Sequence, residues 1–401
     1  MESIKEIFKI GYGPSSSHTM GPAIASKKFL DKNIDADSFK CYLYGSLAST
    51  GKGHLTDYII KKTFNNKKID IIFDYKTHYD YHPNGMKFVA YKDEQIVDEW
   101  LVFSVGGGSI KELGDDRETF TNEVYPHKRM NAILDYTKKT NMSLADYVLK
   151  YETTSIVEHL KKCLMLMKET LNKGLFTDGI LPGGLNVTRK ASSFYQKYLS
   201  NPSMEALTFA YALAIAEENA SGNVVVTAPT CGSCGVVPAV LLSYQKMNNV
   251  SDEKIIEALM VAGLIGNIAK TNASISGAEV GCQGEIGVAC SMAAAALAYL
   301  NNNSNEGIEY AAEVALEHHL GMTCDPVDGL VQIPCIERNA VSAMQAHNVC
   351  KYVELAGNAH NITLDSVIEV MEATGKDLHA KYRETSTGGL ALHNRGIYDN
   401  K

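Results

Sequence analysis

The sequence lacks an excess of basic residues. Its 401 residues include 38 Lys and Arg against 46 Asp and Glu, which gives a formal net charge of −8. Nucleic acids and anionic membrane surfaces attract proteins that carry basic patches. The composition therefore argues against nucleic acid or anionic membrane as the main partner.

Long hydrophobic runs and a secretion signal are also missing. The first residues, MESIKEIFKIGYG, contain no apolar core and no small-residue cleavage site. The most apolar stretch, residues 286–300, is rich in Ala and shorter than the ~20 residues that a membrane-spanning helix needs. We therefore expect a cytoplasmic protein. At 45% hydrophobic and 21% charged, its composition is that of a globular protein of two or three domains.

The cysteines do not have the pattern of a disulfide framework. There are nine, an odd number, and six of them lie between positions 231 and 335. Disulfide frameworks belong to short secreted domains with paired cysteines. Clustering in a reducing compartment favours metal or redox chemistry. The alternative is that these residues are small buried hydrophobic groups, as free cysteines often are.

Hydrophobic periodicity divides the chain into two unlike parts. Residues 1–112 mix short helices and strands, residues 113–129 form a polar linker, and residues 130–401 have mainly helical periods. The predicted fold is thus multidomain, a small N-terminal α/β domain followed by a larger all-α domain. The predicted helices are 20–30, 53–63, 144–173, 203–218, 252–270, 287–300, 307–320, 340–356 and 363–374, and the predicted strands are 69–74, 85–91 and 96–104.

Short Gly-rich loops interrupt the predicted helices of the second domain. Glycine lets the backbone bend sharply and approach a ligand closely, and loops on a rigid scaffold commonly carry functional sites. Several such loops in one helical domain indicate a shared site, although a helical bundle also needs turns. The loops are residues 181–186, 227–235, 276–285, 324–335 and 386–390.

Three cysteines in these loops are candidate metal ligands. Cys282, Cys324 and Cys335 match neither the compact ferredoxin spacing nor the close pairs typical of zinc sites. Three soft thiolates without an obvious fourth ligand suit a [4Fe–4S] cluster that leaves one iron open as a Lewis acid. Cys231 and Cys234 form a C-x-x-C pair, for which a redox dithiol, a site-lining loop and simple packing all stay open.

The N-terminal loop of residues 13–19 is dense in hydroxyl groups and contains His18. Because it precedes a helix, its hydroxyls and N–H groups suit a carboxylate ligand. The alternative is an ordinary N-cap cluster. A Ser–His nucleophile is disfavoured because no nucleophile elbow accompanies it. His54 and His82 are further candidate polar groups of the site, and the Gly-rich run at 106–108 lacks the other residues of a phosphate-binding loop.

Together these motifs resemble the bacterial iron–sulfur-dependent L-serine dehydratases. No single motif carries the resemblance, but their combination and order are highly specific and span residues 6–390. The motifs are GPSSSHTMGP (13–22), GSLASTGKGHLTD (45–57), HPNGM (82–86), LPGGLN (181–186), TAPT (227–230), SGAEVGCQGEIGVACSMAAAA (276–296) and GMTCDPVDGLVQIPCIERNA (321–340).

The resemblance implies a mechanism and a set of site residues. It implies a [4Fe–4S] cluster on Cys282, Cys324 and Cys335 with one iron open for the substrate, no pyridoxal phosphate, and elimination of ammonia from L-serine to give pyruvate. His18 or Lys270 is the expected base, and a homodimer is expected. The other expected site residues are Ser276 for catalysis, Ser15, Ser16, Ser17, Thr19 and Arg338 for the substrate carboxylate, and Thr227, Thr230 and Glu279 for the pocket.

The chain departs from the family pattern in three places. Cys231 and Cys234 replace small residues after TAPT, Asp328 replaces a glycine, and the C-terminal end carries no cysteine. These changes leave substrate choice open, so an L-threonine dehydratase and an L-cysteine desulfidase are alternatives. A zinc-binding or redox-sensing cysteine protein without catalysis is the alternative from another class.

Overall fold

The computed structural model describes residues 1–112, 123–357 and 360–392. Most of the predicted linker at 113–129 lies outside the described residues, since only residues 123–129 of it are included. The domain boundaries at 112 and 130 therefore stay predictions. The end of the predicted domain 130–401, from residue 393 onward, is likewise outside the described part.

The N-terminal part is built on a mixed five-stranded sheet with the strand order β3-β2-β4-β5-β6. Strands β2 and β3 are parallel, with Ser38 opposite Lys68, and the other neighbours are antiparallel. Two further strands, β1 and β7, pair antiparallel with each other. The strands are β1 Ile10–Tyr12, β2 Ser38–Tyr44, β3 Lys68–Asp74, β4 Gly85–Lys92, β5 Gln95–Ser104, β6 Ile110–Glu112 and β7 Val224–Val226.

Helices α1 (Gly21–Lys32) and α3 (Thr56–Phe64) cover one face of this sheet, and α2 (Gly45–Thr50) follows β2 directly. Phe29 of α1 and Phe64 of α3 pack with Phe39 and Phe88 of the strands. The predicted α/β layer is confirmed. Strand β2 is absent from the sequence-based prediction, although its buried residues alternate as expected for a strand with one face in a core.

The C-terminal part is helical, as predicted, and contains the larger hydrophobic core. The mostly apolar segment Gln283–Leu300 would be long enough to cross a membrane, but 83% of it is buried inside the protein, as in a core helix. The helices are α4 Met130–Thr140, α5 Leu144–Tyr151, α6 Ser155–Leu175, α7 Ala191–Ser200, α8 Met204–Ala220, α9 Val236–Asn248, α10 Asp252–Asn272, α11 Gly277–Val280, α12 Val288–Leu300, α13 Asn305–Glu317, α14 Cys335–Ala356 and α15 Leu364–Asp377.

The single helix predicted over 144–173 is wrong, because the chain breaks between α5 and α6. Glu152 is extended at the break, with φ −74° and ψ 157°. Its carboxylate accepts hydrogen bonds from the Ile4 N–H and from the Tyr125 hydroxyl, at 2.7 and 2.8 Å. The break therefore frees an acidic side chain to bind the start of the chain, a tertiary role that local periodicity does not reveal.

The first twelve residues belong structurally to the helical core. Ile4, Ile7 and Phe8 are fully buried there, and β1 pairs with β7, with Ile10 opposite Val226. This segment leads directly into residues 13–20. The N-terminal hydroxyl-rich loop is thereby held between the sheet and the helical core, where it reaches the cysteine-bearing loops.

Truncating Phe8 tests this arrangement. Phe8→Ala removes a fully buried ring, so we expect the free energy of unfolding to fall by about 3–5 kcal/mol. Phe176→Ala is the matched control, since Phe176 is 70% exposed and its loss is expected to matter little. Urea denaturation of both variants measures the difference, and equal small effects would contradict the packing described for the N-terminal segment.

Candidate active site

Cys282, Cys324 and Cys335 line one buried cavity, together with His54 and Glu384. The three thiols come from separate elements that the fold brings together. Cys282 precedes the π-helical turn Gln283–Gly287 that leads into α12, Cys324 lies in a loop, and Cys335 begins α14. The remaining lining residues are Pro14, Ser15, Gly232, Glu285, Ile286, Pro326 and Val331.

The thiols have unequal acidities. A hydrogen bond from Cys324 lowers the pKa of Cys282 to about 6. Burial raises this pKa, whereas Arg338 and the Ile286 N–H lower it further. The same hydrogen bond, followed by burial, raises the pKa of Cys324, and burial raises that of Cys335. Cys282 is therefore the thiol most readily present as a thiolate, the form that binds metal.

The donor set fits a multinuclear cluster held by cysteines. Among the described residues, one set of three His, Cys, Asp or Glu side chains has its ligand atoms all within 4.8 Å of one another, and none of the three cysteines belongs to that set. Thiolates on a single tetrahedral zinc lie roughly 4 Å apart, which follows from Zn–S bonds of ~2.3 Å. The three thiols are unequally spaced, since Cys282 and Cys324 share a hydrogen bond, and what fits a cluster is the chemistry of the donor set, three soft thiolates. The cavity between them is narrow, about 20 Å³, so binding a cluster requires the thiols to separate.

Glycines let the loops approach the thiols. A Cβ atom at Gly277 would lie 3.0 Å from the Cys324 Sγ and 2.9 Å from a carboxylate oxygen of Glu285. That is closer than side-chain atoms normally approach a Cβ, so a side chain at this position would displace the thiol or the carboxylate. Gly277 of the Gly-rich loop at 276–285 is therefore required for steric reasons, because the loop backbone lies so close to the thiol.

Two histidines and a glutamate form a second cluster on the same cavity. The Glu384 Oε1 lies 3.5 Å from the His18 Nδ1 and 3.8 Å from the His54 Nε2. The ring centroids of the two histidines are 4.4 Å apart. Burial lowers the pKa of His54 to about 4, and it lowers that of His18 as well, so both rings are neutral near pH 7. These three side chains are the set whose ligand atoms all lie within 4.8 Å of one another.

The N-terminal loop positions His18 in a π-helical turn, Ser16–Met20, at the start of α1. Ser15 caps this turn by accepting the His18 N–H at 3.1 Å. The imidazole nitrogens of His18 contact the hydroxyls of Ser17 and Ser46, at 3.0 and 3.1 Å. Single π-helical turns occur frequently at functional sites, and here one precedes each of the helices α1 and α12.

The hydroxyl-rich loop has mainly structural roles. The Thr19 hydroxyl donates to the carbonyl of His54 at 2.7 Å, and the Ser16 carbonyl accepts the N–H of Gly21. Ser15 is the serine of this loop that lines the cavity. Ser15 thus both caps the turn and lines the cavity, and carboxylate binding by Ser15, Ser16, Ser17 and Thr19 stays a prediction.

The segment after α15 closes the cavity on another side. Cys324 donates its N–H to the Tyr382 carbonyl, and Glu384 donates its N–H to the Cys324 carbonyl, both at 2.7 Å. The Leu390 N–H binds the Asp325 carboxylate at 2.7 Å. These bonds place the chain around residue 384 directly against the cysteine loop.

Other predicted residues are divided between the cavity and its surroundings. Arg338 contacts Cys282 and donates to the Thr323 carbonyl at 2.7 Å. Thr230 hydrogen-bonds Glu285 and the Ser233 hydroxyl. Both are therefore placed at or beside the cysteines.

Lys270, Thr227 and Glu279 are not brought to the cysteine cavity. The Lys270 Nζ pairs with a Glu2 carboxylate oxygen at 2.7 Å and, like Glu279, lines a different cleft. The Thr227 hydroxyl donates to the Ile7 carbonyl at 2.6 Å and tethers the N-terminal segment.

Ser276, Glu279 and His82 lie between the sheet and the helical part. His82 Nε2 is 3.4 Å from a Glu279 carboxylate oxygen, which makes this pair an interdomain contact. Ser276 occupies the N-cap position of α11 next to Gly277 and is buried, and its hydroxyl makes no capping hydrogen bond. Its position beside the cavity wall leaves its predicted catalytic role a prediction.

Glu285 and Glu384 were not predicted. Burial, and next the charge of Cys282, raise the pKa of Glu285 to about 8. Burial, then the charges of Glu285 and Cys282, raise the pKa of Glu384. Glu285 is the last residue of the Gly-rich loop SGAEVGCQGE, and Glu384 lies just before the Gly-rich loop STGGL. The glycines of these loops indicate a site, whereas no sequence pattern singles out the two acidic residues.

Comparison with known proteins gives a consistent match over the chain. The serine dehydratase alpha chain profile matches residues 94–391, and the serine dehydratase beta chain profile matches residues 3–62 and 59–115. An L-serine dehydratase of Haemophilus influenzae is 40% identical, with 98% of this chain and 99% of that protein covered.

Further relatives agree. L-serine dehydratase 1 of Escherichia coli is 40% identical over the same shares of the two chains, and an L-serine dehydratase of Streptomyces coelicolor is 38% identical with 98% of each chain covered. The match at this identity includes nearly the whole chain and both parts of the fold. The chain belongs to the serine dehydratase family, with its beta and alpha parts joined in one polypeptide.

Proposed function

We propose that this protein is an L-serine ammonia-lyase that converts L-serine to pyruvate and ammonia with a [4Fe–4S] cluster held by Cys282, Cys324 and Cys335. One observation carries the proposal: the three cysteines line one buried cavity together with a neutral histidine and a buried carboxylate. Relatives that are named L-serine dehydratases and match nearly the whole chain support it.

A [4Fe–4S] cluster with three cysteine ligands supplies an open iron, a Lewis acid that makes the hydroxyl of the substrate a better leaving group. The protein contributes the three thiols, of which Cys282 is the most acidic. We propose no pyridoxal phosphate. Lys270, the lysine among the predicted catalytic residues, pairs with Glu2 away from the cysteines.

We propose His54 as the base that removes the Cα proton. Its Nδ1 lies 3.1 Å from the Thr50 carbonyl oxygen, which can only accept, so Nδ1 carries the ring proton. The Nε2 of the neutral ring therefore has a free lone pair on the cavity side. Glu384, 3.8 Å away, can stabilise the positive ring that forms when Nε2 takes the proton.

His18 is less suited to this role than the sequence suggests. Ser46 donates its hydroxyl proton to the Glu384 carbonyl at 2.7 Å, so its oxygen accepts from the His18 Nε2. The His18 Nδ1 then accepts from Ser17. With both nitrogens occupied, His18 has no free lone pair for a substrate proton, and the Glu384 Oε1 lies 3.5 Å from its Nδ1.

The remaining parts of the proposal concern the substrate and the cell. Ser15 and Arg338 are the predicted carboxylate-binding residues nearest the cysteines. Cytoplasmic localisation and a homodimer stay parts of the proposal. L-threonine and L-cysteine are the alternative substrates. L-threonine differs from L-serine by one methyl group, which a pocket discriminates by only ~1–3 kcal/mol, and L-cysteine carries sulfur in place of the hydroxyl oxygen.

Removing single cysteines tests the cluster. Purified without oxygen, the wild type is expected to be brown, to contain about four irons and four sulfides per chain, and to form pyruvate from L-serine. Cys282→Ala, Cys324→Ala and Cys335→Ala should each lose colour and turnover. Cys290→Ala, at a buried thiol of α12, should keep both.

Three outcomes of that experiment would contradict the proposal. A colourless protein with stoichiometric zinc supports the zinc alternative. Loss of the cluster in Cys231→Ala or Cys234→Ala but not in the three variants would reassign the ligands. Formation of 2-oxobutyrate from L-threonine or of sulfide from L-cysteine, without pyruvate from L-serine, would show that one of these amino acids is the substrate instead.

Replacing His54 tests the base. His54→Asn keeps a polar group but no basic nitrogen, so we expect kcat for L-serine to fall by about 10²–10⁴-fold with the iron content unchanged. His347→Gln is the control, since His347 is also a histidine with a lowered pKa but contacts Thr208 elsewhere in the helical part. A normal kcat in His54→Asn would return the role to His18 or Lys270.

A further inference from the structure

The two carboxylate oxygens of Glu384 have different surroundings. Oε1 faces the two histidines, at 3.5 and 3.8 Å. Oε2 is buried and, within the described part of the chain, has no hydrogen-bond partner. The side chain is 4% exposed and lines the cysteine cavity. A buried acceptor without a partner is uncommon in native proteins, which indicates that a donor from a ligand completes it.

The backbone fixes this carboxylate in place. Glu384 has φ +56°, in the left-handed region that non-glycine residues seldom adopt. Its N–H binds the Cys324 carbonyl, and its own carbonyl accepts the Ser46 hydroxyl, both at 2.7 Å. Strained residues of this kind persist where their surroundings hold them, and they cluster at ligand sites. The free oxygen is therefore held in position before any ligand arrives.

The other carboxylate of the cavity is already occupied. Glu285 interacts with the Thr230 hydroxyl and with the Cys324 thiol, at 3.9 Å for the thiol. Its oxygens therefore have partners within the protein. Of the two acidic side chains that line the cavity, Glu384 is the one with an oxygen available to a ligand.

An amino acid brings the matching group. Its α-ammonium carries a positive charge and three N–H donors, and placing it in a buried cavity is costly unless a carboxylate accepts from it. The ammonium in turn favours the ionised form of that carboxylate, which burial alone disfavours. We infer that Glu384 Oε2 binds the α-ammonium group of the substrate, so that this residue selects amino acids over hydroxy acids of the same size. The inference rests on the proposed function and adds a substrate-binding residue to it.

The test compares two ligands that differ in the ammonium group. In the full-length enzyme with its cluster, Glu384→Gln should raise the KM for L-serine about 100-fold, the effect of truncating one partner of a buried charge pair. The inhibition constant of 3-hydroxypropionate, which lacks the amine, should stay near its wild-type value. Glu313→Gln is the matched control, because Glu313 is also buried with an unpartnered oxygen but lies in another cavity.

Two results would overturn the inference. One is an unchanged KM for L-serine in Glu384→Gln. The other is an equal rise in the inhibition constant of 3-hydroxypropionate, which would mean that Glu384 only positions the histidines. If Glu384→Gln does not retain iron, Glu384→Asp is the second variant, because it keeps the charge on a shorter side chain. It should raise the KM for L-serine more than the inhibition constant of 3-hydroxypropionate. A wild type that forms no pyruvate contradicts the proposed function, whereas these results on an active wild type contradict the inference alone.

Discussion

The pairing of Cys324 with Tyr382 and Glu384 holds the site together. Two backbone hydrogen bonds of 2.7 Å join a cysteine loop to the segment that follows the last long helix. Through them Glu384 reaches His18 and His54, which the N-terminal part supplies. Three distant regions of the chain therefore meet at one short segment around Glu384, and the cavity exists only where they meet.

Burial determines the chemistry of this cavity. The histidines are neutral because water is excluded around them, and Glu285 and Glu384 hold their protons more strongly for the same reason. Cys282 is the exception, because Cys324 and Arg338 stabilise its thiolate. With neutral histidines and little room for water, the cavity suits the removal of a proton from carbon.

The sequence predicts the parts of the molecule that have local signals. Most helices and strands follow from periodicity. Cysteine clustering in Gly-rich loops points to metal chemistry, and the resemblance of the surrounding motifs to a known family selects three of the nine cysteines. Glu384, Glu285 and the break at Glu152 depend on contacts between residues far apart in the chain, which no local pattern encodes. Thr227 and Lys270 show the converse, since one lies in a family motif and the other in the helix before one, while their side chains bind the N-terminal segment instead.

The proposed cluster on the three cysteines would meet the substrate through its open iron, beside His54 and Glu384. Mössbauer spectroscopy of the iron-57 protein, recorded without oxygen before and after addition of L-serine, tests this arrangement. We expect about a quarter of the iron signal, one site of four, to change with L-serine while the rest stays constant. An unchanged spectrum in a protein that turns over L-serine would show that the substrate does not bind the iron.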